Sequence, residues 1–398
     1  MLTLNRLSQI RTASCHSRSR LLLFSVIALA IGVVAPIEGG EDYIAKEAER
    51  VEAAIAGQKD EKDGDLIVAP IPLVSPTLGY GLIGVVAYMK KLDPDSQASY
   101  VGGGGMYTDN GSWTIGLGGS FNFKADTWKF KGGLAFFDIT IPFYGIGNEA
   151  GDEDRSVDVN EKGWAAGVKG LRRIAGKWYG GFSYGYAPLT TSFDFDTDLP
   201  VVPEDPPLLG IGESTIASLG LIGERDSRDN QFAAYQGSFF QLTWGVANEA
   251  VGSDFDYQSI KANYNVYRRI KKNSDNMIIA GRVSACATPG DTPFYALCKF
   301  GQSFDLRGYV GGRYRDQALL AIQAELRWSF TKRWGAVGFL GVGGVGESFS
   351  DFENDNSLPA AGVGVRFSIS PENRLNVSLD WAVGKDNDYV YIYVGEAF

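Results

Sequence analysis

The chain has one histidine in 398 residues, and it is His16, inside the N-terminal stretch that an exported protein sheds. The mature chain then cannot build a Ser-His-Asp or Cys-His constellation, or a zinc site that needs an imidazole. This excludes His-dependent lipases and acyltransferases, and no enzymatic activity is expected. Cysteine is almost as scarce: Cys15 leaves with the same stretch, and only Cys286 and Cys298 remain. With no third Cys and no His near them, a metal pair is the poorer reading. A disulfide would close a loop of about a dozen residues and contribute on the order of 3 kcal/mol. An excess of basic charge is missing too. The net charge of -10 and pI near 4.9 argue against nucleic acid as a partner and point to hydrated acidic loops. Beyond residue 36, no apolar run approaches the ~20 residues that a spanning helix requires.

Export is written at the N-terminus. Arg6, Arg11, Arg18 and Arg20 precede the apolar run Leu21 to Pro36, and no acidic residue occurs before Glu38. This layout predicts a signal peptide over residues 1–39, cleaved near Ala35 to Gly40. An organelle transit peptide fits the concentrated apolar run less well, and a signal anchor would need a longer one. Residues 40–64 form a short, charged, helix-prone periplasmic segment, with Ala45, Ala48, Val51 and Ile55 spaced three or four apart.

Residues 65–398 alternate with period two. Leu375, Val377, Leu379, Trp381 and Val383 share one face of an extended strand, and Asn376, Ser378, Asp380 and Ala382 the other. Val390, Ile392, Val394 and Phe398 form a second apolar face, spoiled only by Glu396; Tyr389, Tyr391 and Tyr393 lie opposite. Leu320 to Phe330 repeats the pattern, with Gln323, Glu325 and Arg327 on its polar face. Soluble sandwiches alternate as well, but their strands cluster near five or six residues, whereas a tilted bilayer-crossing strand needs about nine to eleven. Most segments here reach the longer figure. An extended chain crosses lipid only as a closed barrel without edges, so the fold class is all-β: a transmembrane antiparallel β-barrel of about 16 strands. The 51 glycines fit a lumen face that lets a folded-in loop approach the wall.

Connection lengths give an orientation. Ala125-Asp126, Ala175-Gly176, Thr331-Lys332-Arg333 and Pro371-Glu372 are tight turns of the periplasmic kind. Tyr144 to Asn160, Thr191 to Gly212, Ala287 to Arg315 and Glu347 to Pro359 are the long extracellular loops, the third joining strands eleven and twelve. No cofactor or metal is expected. Asp226 with Asp229, and the run Asp152-Glu153-Asp154, read as solvated turn acids without EF-hand spacing, and Gly102 to Gly105 lies inside a strand rather than before a helix.

Several motifs in this order carry a resemblance. Leu306-Arg307-Gly308-Tyr309 stands in the long loop, Glu224-Arg225-Asp226-Ser227-Arg228-Asp229-Asn230 precedes a strand, and Phe143-Tyr144-Gly145-Ile146-Gly147-Asn148 lies upstream. Phe398 ends the chain. From Gly223 to Phe398 the sequence resembles the bacterial surface antigen family, the BamA/TamA-type barrels of outer-membrane assembly and translocation. The resemblance implies a lumen-folded loop between strands 11 and 12 with the Arg-Gly-Tyr at its tip, and a terminal aromatic that serves as an assembly signal. It also implies outer-membrane localisation and recognition by the outer-membrane assembly machinery for the chain's own insertion.

Two departures from the family pattern matter. The family places an Asp on strand thirteen where it can meet the loop Arg; here Gly341 holds that place, which leaves Glu325 as the candidate partner of Arg307. Family members that assemble or translocate also carry polypeptide-transport-associated domains, and the segment before this barrel is far shorter than one. Cargo capture is then absent, done by that segment, or supplied by a periplasmic helper or a second barrel. The expected function is membrane protein insertion or assembly, or protein or lipid translocation, in the outer-membrane bilayer. The alternative is a porin-like diffusion channel or structural barrel, and the state of the lumen discriminates the two.

Overall fold

The computed structural model describes residues 65–194, 210–230, 233–271, 274–301, 305–352, 357–371 and 374–398. The expected signal peptide and the 40–64 segment lie outside the described residues. Sixteen strands close into an antiparallel barrel: β1(Asp65–Ser75), β2(Gly79–Lys90), β3(Ser99–Thr108), β4(Trp113–Phe123), β5(Trp128–Phe143), β6(Val157–Ala175), β7(Trp178–Asp194), β8(Gly212–Asp226), β9(Gly237–Ala247), β10(Tyr257–Arg269), β11(Met277–Ala287), β14(Ala318–Ser329), β15(Trp334–Gly346), β16(Leu358–Ser370), β17(Leu375–Val383) and β18(Asp388–Val394). Two dipeptides, β12(Cys298–Lys299) and β13(Arg315–Asp316), pair with each other inside the connection between β11 and β14, the eleventh and twelfth barrel strands. One short helix, α1(Gly147–Asp152), stands in the β5–β6 connection.

Alternation sorts the wall into two faces. On β17, Leu379, Trp381 and Val383 are exposed while Ser378, Asp380 and Ala382 are buried. On β2 the exposed Leu82, Val86 and Tyr88 alternate with buried Ile83, Val85, Ala87 and Met89. The outer face is apolar on both strands, while the inner face is polar or small on β17 and largely apolar on β2, an arrangement that suits lipid around a filled lumen. β6 and β7, at 19 and 17 residues, exceed what a tilted crossing needs, so their ends stand above the bilayer.

Two features differ from the sequence expectation. β6, β7 and β16 extend further toward the extracellular side than the pattern indicated, because pairing continues past the apolar stretch. The last strand stops at Val394 rather than at Phe398. Gly395 turns the chain at φ 91°, which flips the face of everything after it. Phe398 therefore leaves the lipid-facing row: its ring lies 6.4 Å from that of Tyr267, and Arg327 donates to its carbonyl at 2.8 Å. Glu396, read as an acid on the apolar face, is buried against Arg366 at 2.8 Å.

The closure of the barrel is uneven. β1 pairs with β2 along its whole length from Asp65 to Ser75, and β17 pairs with β18 from Val377 to Val383. β1 meets β18 at a single register position, Val74 opposite Ile392.

Candidate functional site: the lumen loop and the seam

The connection between β11 and β14 enters the barrel as a hairpin. A disulfide between Cys286, at the end of β11, and Cys298 ties its root to the wall. The hairpin continues through the Phe300 amide to the Tyr314 carbonyl at 2.9 Å and the Gly312 amide to the Phe300 carbonyl at 2.9 Å. Its apolar side chains Phe300, Leu306, Tyr309 and Tyr314 pack against Leu319, Ala321, Val345, Leu358 and Ala360 of the wall. Glycines make room for them. A Cβ on Gly341 would lie 2.5 Å from the Leu306 Cδ1, and one on Gly343 2.5 Å from the Phe300 ring. The space an Asp side chain would need at Gly341 is thus occupied by a leucine from the loop.

Arg307 reaches the wall at the tip and is 1% exposed. Its guanidinium forms ion pairs with Glu325 on β14 and Asp380 on β17, and donates to Gln323 at 3.0 Å and to the Tyr393 hydroxyl at 3.1 Å. It also stacks on Phe339, 3.6 Å from the ring centroid. Glu325 additionally holds Arg327 at 2.7 Å, and Asp380 pairs with Arg366, which reaches Glu396. Three arginines therefore face three carboxylates in a network closed to solvent. Burial of so many charges is tolerable only when each is paired and hydrogen-bonded. Glu325 was legible as an Arg307 partner from its place on the polar face of its strand. Asp380 is the partner that the sequence reading lacks; its signal is that it is the one carboxylate on the polar face of its strand, beside a lone Arg366 on the next.

Gly308 is held by shape. Its φ of 116° favours glycine, and an added Cβ would lie 3.1 Å from the Gly384 nitrogen and the Val383 carbonyl carbon. Its amide donates to the Tyr391 hydroxyl at 3.0 Å, and that hydroxyl donates to the Tyr309 carbonyl at 3.1 Å. The Tyr309 hydroxyl donates to the Pro359 carbonyl at 2.6 Å and accepts from the Lys385 amide at 3.1 Å. Replacing Gly308 with Ala is expected to weaken docking of the tip by about 1–3 kcal/mol, the range for a forced backbone conformation. Faster amide exchange in residues 305–314 of the variant is the measurement that checks it.

The tip also bridges the seam. Gly308 and Tyr309 bind the β17–β18 side, while the Gly311 amide donates to the Thr77 hydroxyl, in the turn after β1, at 2.8 Å. From above, α1 and its flanks lock the hairpin: Asn148 donates to the Val345 carbonyl at 2.7 Å, Asp152 meets Lys385 at 2.8 Å and the Tyr314 hydroxyl at 2.9 Å, and Asp154 meets Arg313 at 3.0 Å. The upstream Phe-Tyr-Gly-Ile-Gly-Asn motif and the acidic run after it are thus parts of one cover over the hairpin. These acids are ion-paired rather than simply solvated.

The Arg225 to Asn230 motif divides between two places. Arg225 lies on the outer wall, its guanidinium carbon 5.9 Å from the Trp178 ring centroid. Asp226 binds Arg228 at 2.8 Å, and Asn230 caps the Ala233 amide at 3.0 Å. Asp229 accepts from the Tyr235 amide at 2.9 Å and pairs with Arg374, in the β16–β17 turn, at 2.9 Å and with Arg269 at 3.5 Å. Arg374 also lies 3.8 Å from the Tyr235 ring centroid. The β8–β9 connection therefore reaches across the periplasmic mouth, with Ala234 packed against Tyr267, Ala280 and Phe398. Burial works against the Asp229 carboxylate, but hydrogen bonds from Arg374 and the Tyr235 and Gln236 amides outweigh it and hold its pKa below the usual aspartate value. A depressed carboxylate pKa contributes above the unfolded pKa and is lost as pH falls through the folded one. Proteolysis within residues 227–236 is expected to stay slow at neutral pH and to rise below about pH 4. The Asp229→Asn variant should be cut faster at neutral pH and show little of that rise.

The chain matches the Omp85 superfamily domain over residues 106–396. Among curated proteins no match was found. Among solved structures the barrel is similar to BamA from Haemophilus ducreyi lacking POTRA domains 1–3, with TM-score 0.55, 14% identity, and coverage of 84% of this chain and 70% of that one. It is also similar to CdiB from Escherichia coli, with TM-score 0.53, 11% identity, and coverage of 89% and 70%. CdiB from Acinetobacter baumannii gives TM-score 0.51 and 10% identity, with 83% of this chain covering 59% of that one. Identities this low speak for the fold alone, but the domain match spans most of the sequence: the chain belongs to the Omp85 superfamily and is an outer-membrane β-barrel.

Proposed function

We propose that this barrel inserts client proteins into the outer membrane through the β1–β18 seam, as a non-enzymatic assembly factor. The observation that carries the reading is the contrast between Val74–Ile392 as the single paired position of the seam and the continuous ladders on either side of it. Unpaired strand edges are templates for another strand, and in lipid they cannot remain without partners. A client strand can satisfy them, so the seam favours lateral passage over passage down the axis. The extracellular half of the lumen is filled by the buried tip, which speaks against the porin-like alternative. Translocation of protein or lipid is the second reading, and it requires the same hairpin to leave the lumen.

The test is a locked seam. Val74→Cys with Ile392→Cys places two thiols opposite each other across β1 and β18, and each single variant serves as control. In liposomes carrying the oxidised double variant, folding of an unfolded outer-membrane barrel should fall to the rate in empty liposomes, while both singles accelerate it like the parent protein. Equal acceleration by locked and unlocked protein would remove the seam from the function.

A further inference from the structure

On the outer face of the barrel, near the periplasmic rim, two tryptophans stand directly opposite two arginines on the neighbouring strands. Trp128 is paired with Arg172 across β5 and β6, and Trp178 with Arg225 across β7 and β8. The guanidinium carbons lie 5.2 and 5.9 Å from the ring centroids. Arg225 donates to the Ser238 hydroxyl at 3.0 Å, and neither arginine forms an ion pair among the described residues. Two cations without carboxylates on a lipid-facing wall stand out in a chain of net charge -10.

Between them lies a shallow notch. Arg172 is level with Gly180 and Gly180 with Gly223, so the row that starts at Arg172 continues as two glycines. A Cβ on Gly223 would meet nothing within 4 Å, whereas the exposed Ile174 side chain covers Gly180, its Cδ1 2.6 Å from where a Cβ would stand, so the open floor of the notch is Gly223. Phe182 and Leu221, paired with each other and both exposed, border the notch toward the bilayer centre, and the exposed Trp178 borders it toward the periplasm. Strand spacing and rise place the two arginine Cα atoms about 12 Å apart, within joint reach of one phosphate. Arginine stems lie along apolar surface while the head seeks the interface, and the planar fork matches phosphate oxygens. Stacking on indole fixes that head without neutralising it.

We propose that this notch binds one anionic phospholipid of the periplasmic leaflet, with its phosphate between Arg172 and Arg225 and an acyl chain over Gly223, alongside Ile174. The inference goes beyond the assembly function and depends only on the barrel standing in the membrane. It assigns Arg225 a role apart from the periplasmic turn formed by the rest of its motif.

The full-length protein, reconstituted with an equimolar mixture of phosphatidylglycerol and phosphatidylethanolamine, would be extracted gently and its bound lipid counted by native mass spectrometry. One phosphatidylglycerol should be retained in preference to phosphatidylethanolamine. The R172Q/R225Q variant should retain it about thirtyfold more weakly, from the usual contribution of two basic side chains at an anionic lipid surface. Gly223→Leu, which fills the notch without changing charge, should weaken retention as well, whereas Lys332→Gln, elsewhere on the same rim, should not. Heat-modifiable mobility verifies that each variant is a folded barrel. Equal retention of the two lipids, or equal loss in Lys332→Gln and R172Q/R225Q, would overturn the assignment.

Discussion

Arg307→Met is expected to release the lumen loop. Removing one member of a buried, hydrogen-bonded ion network leaves a buried charge uncompensated, at a cost of about 3–5 kcal/mol. Here Glu325 and Asp380, both fully buried, each lose one of two arginine partners, which leaves three carboxylates facing two arginines, and the stacking on Phe339 is lost as well. A shift of that size raises the population of the undocked hairpin more than about a hundredfold, since each 1.4 kcal/mol is a factor of ten. Added protease should then cut within residues 305–314, and amide exchange there should approach that of free loops. Arg307→Lys should fall between the two, because the charge stays while the fork and the stacking plane are lost. The disulfide at Cys286 and Cys298 keeps the root in place, so undocking is confined to the hairpin beyond it.

Asp380→Asn should have an effect of similar size. Its carboxylate accepts from Arg307, Arg366 and Tyr393 together, and losing the charge leaves the network with three arginines and two carboxylates. The expected loss of loop docking is again about 3–5 kcal/mol. Because the two side chains belong to one network, the Arg307→Met and Asp380→Asn effects should not add; a coupling of about 0.5–3 kcal/mol is expected from a double-mutant cycle on exchange protection. Simple additivity would mean that Arg307 and Asp380 do not share their charge in the folded protein.

The barrel is legible from the sequence because one face of every strand meets lipid. Leu379, Trp381 and Val383 announce a wall whose other side is polar, and turn residues such as Gly176 and Pro371 mark where it reverses. Glu325 could be found for the same reason: on an alternating strand its side chain has only the lumen to enter. Asp380 enters the same lumen, but its pairing with Arg307 is not legible, since alternation says which face a residue takes and not which strand lies across the lumen from it. That second fact depends on how far the loop reaches. The end of the chain shows the complementary limit. Alternation assigns Phe398 to the lipid, and a single glycine with positive φ, Gly395, reverses the assignment. The acids of the β8–β9 connection likewise look like solvated turn residues in the sequence, because the partner of Asp229 is Arg374, well over a hundred residues later in the chain.

The loop's place in the lumen, on which the assembly reading depends, is tested most directly by electrical conductance. Purified protein in a planar bilayer should pass a small, flickering current, and a variant lacking Gly301 to Arg313 should pass a large, steady one, because a barrel of about sixteen strands is wide enough for an aqueous channel once nothing fills it. Equally large, steady currents from both proteins would contradict a plugged lumen and leave a diffusion channel in which Arg307 has no part.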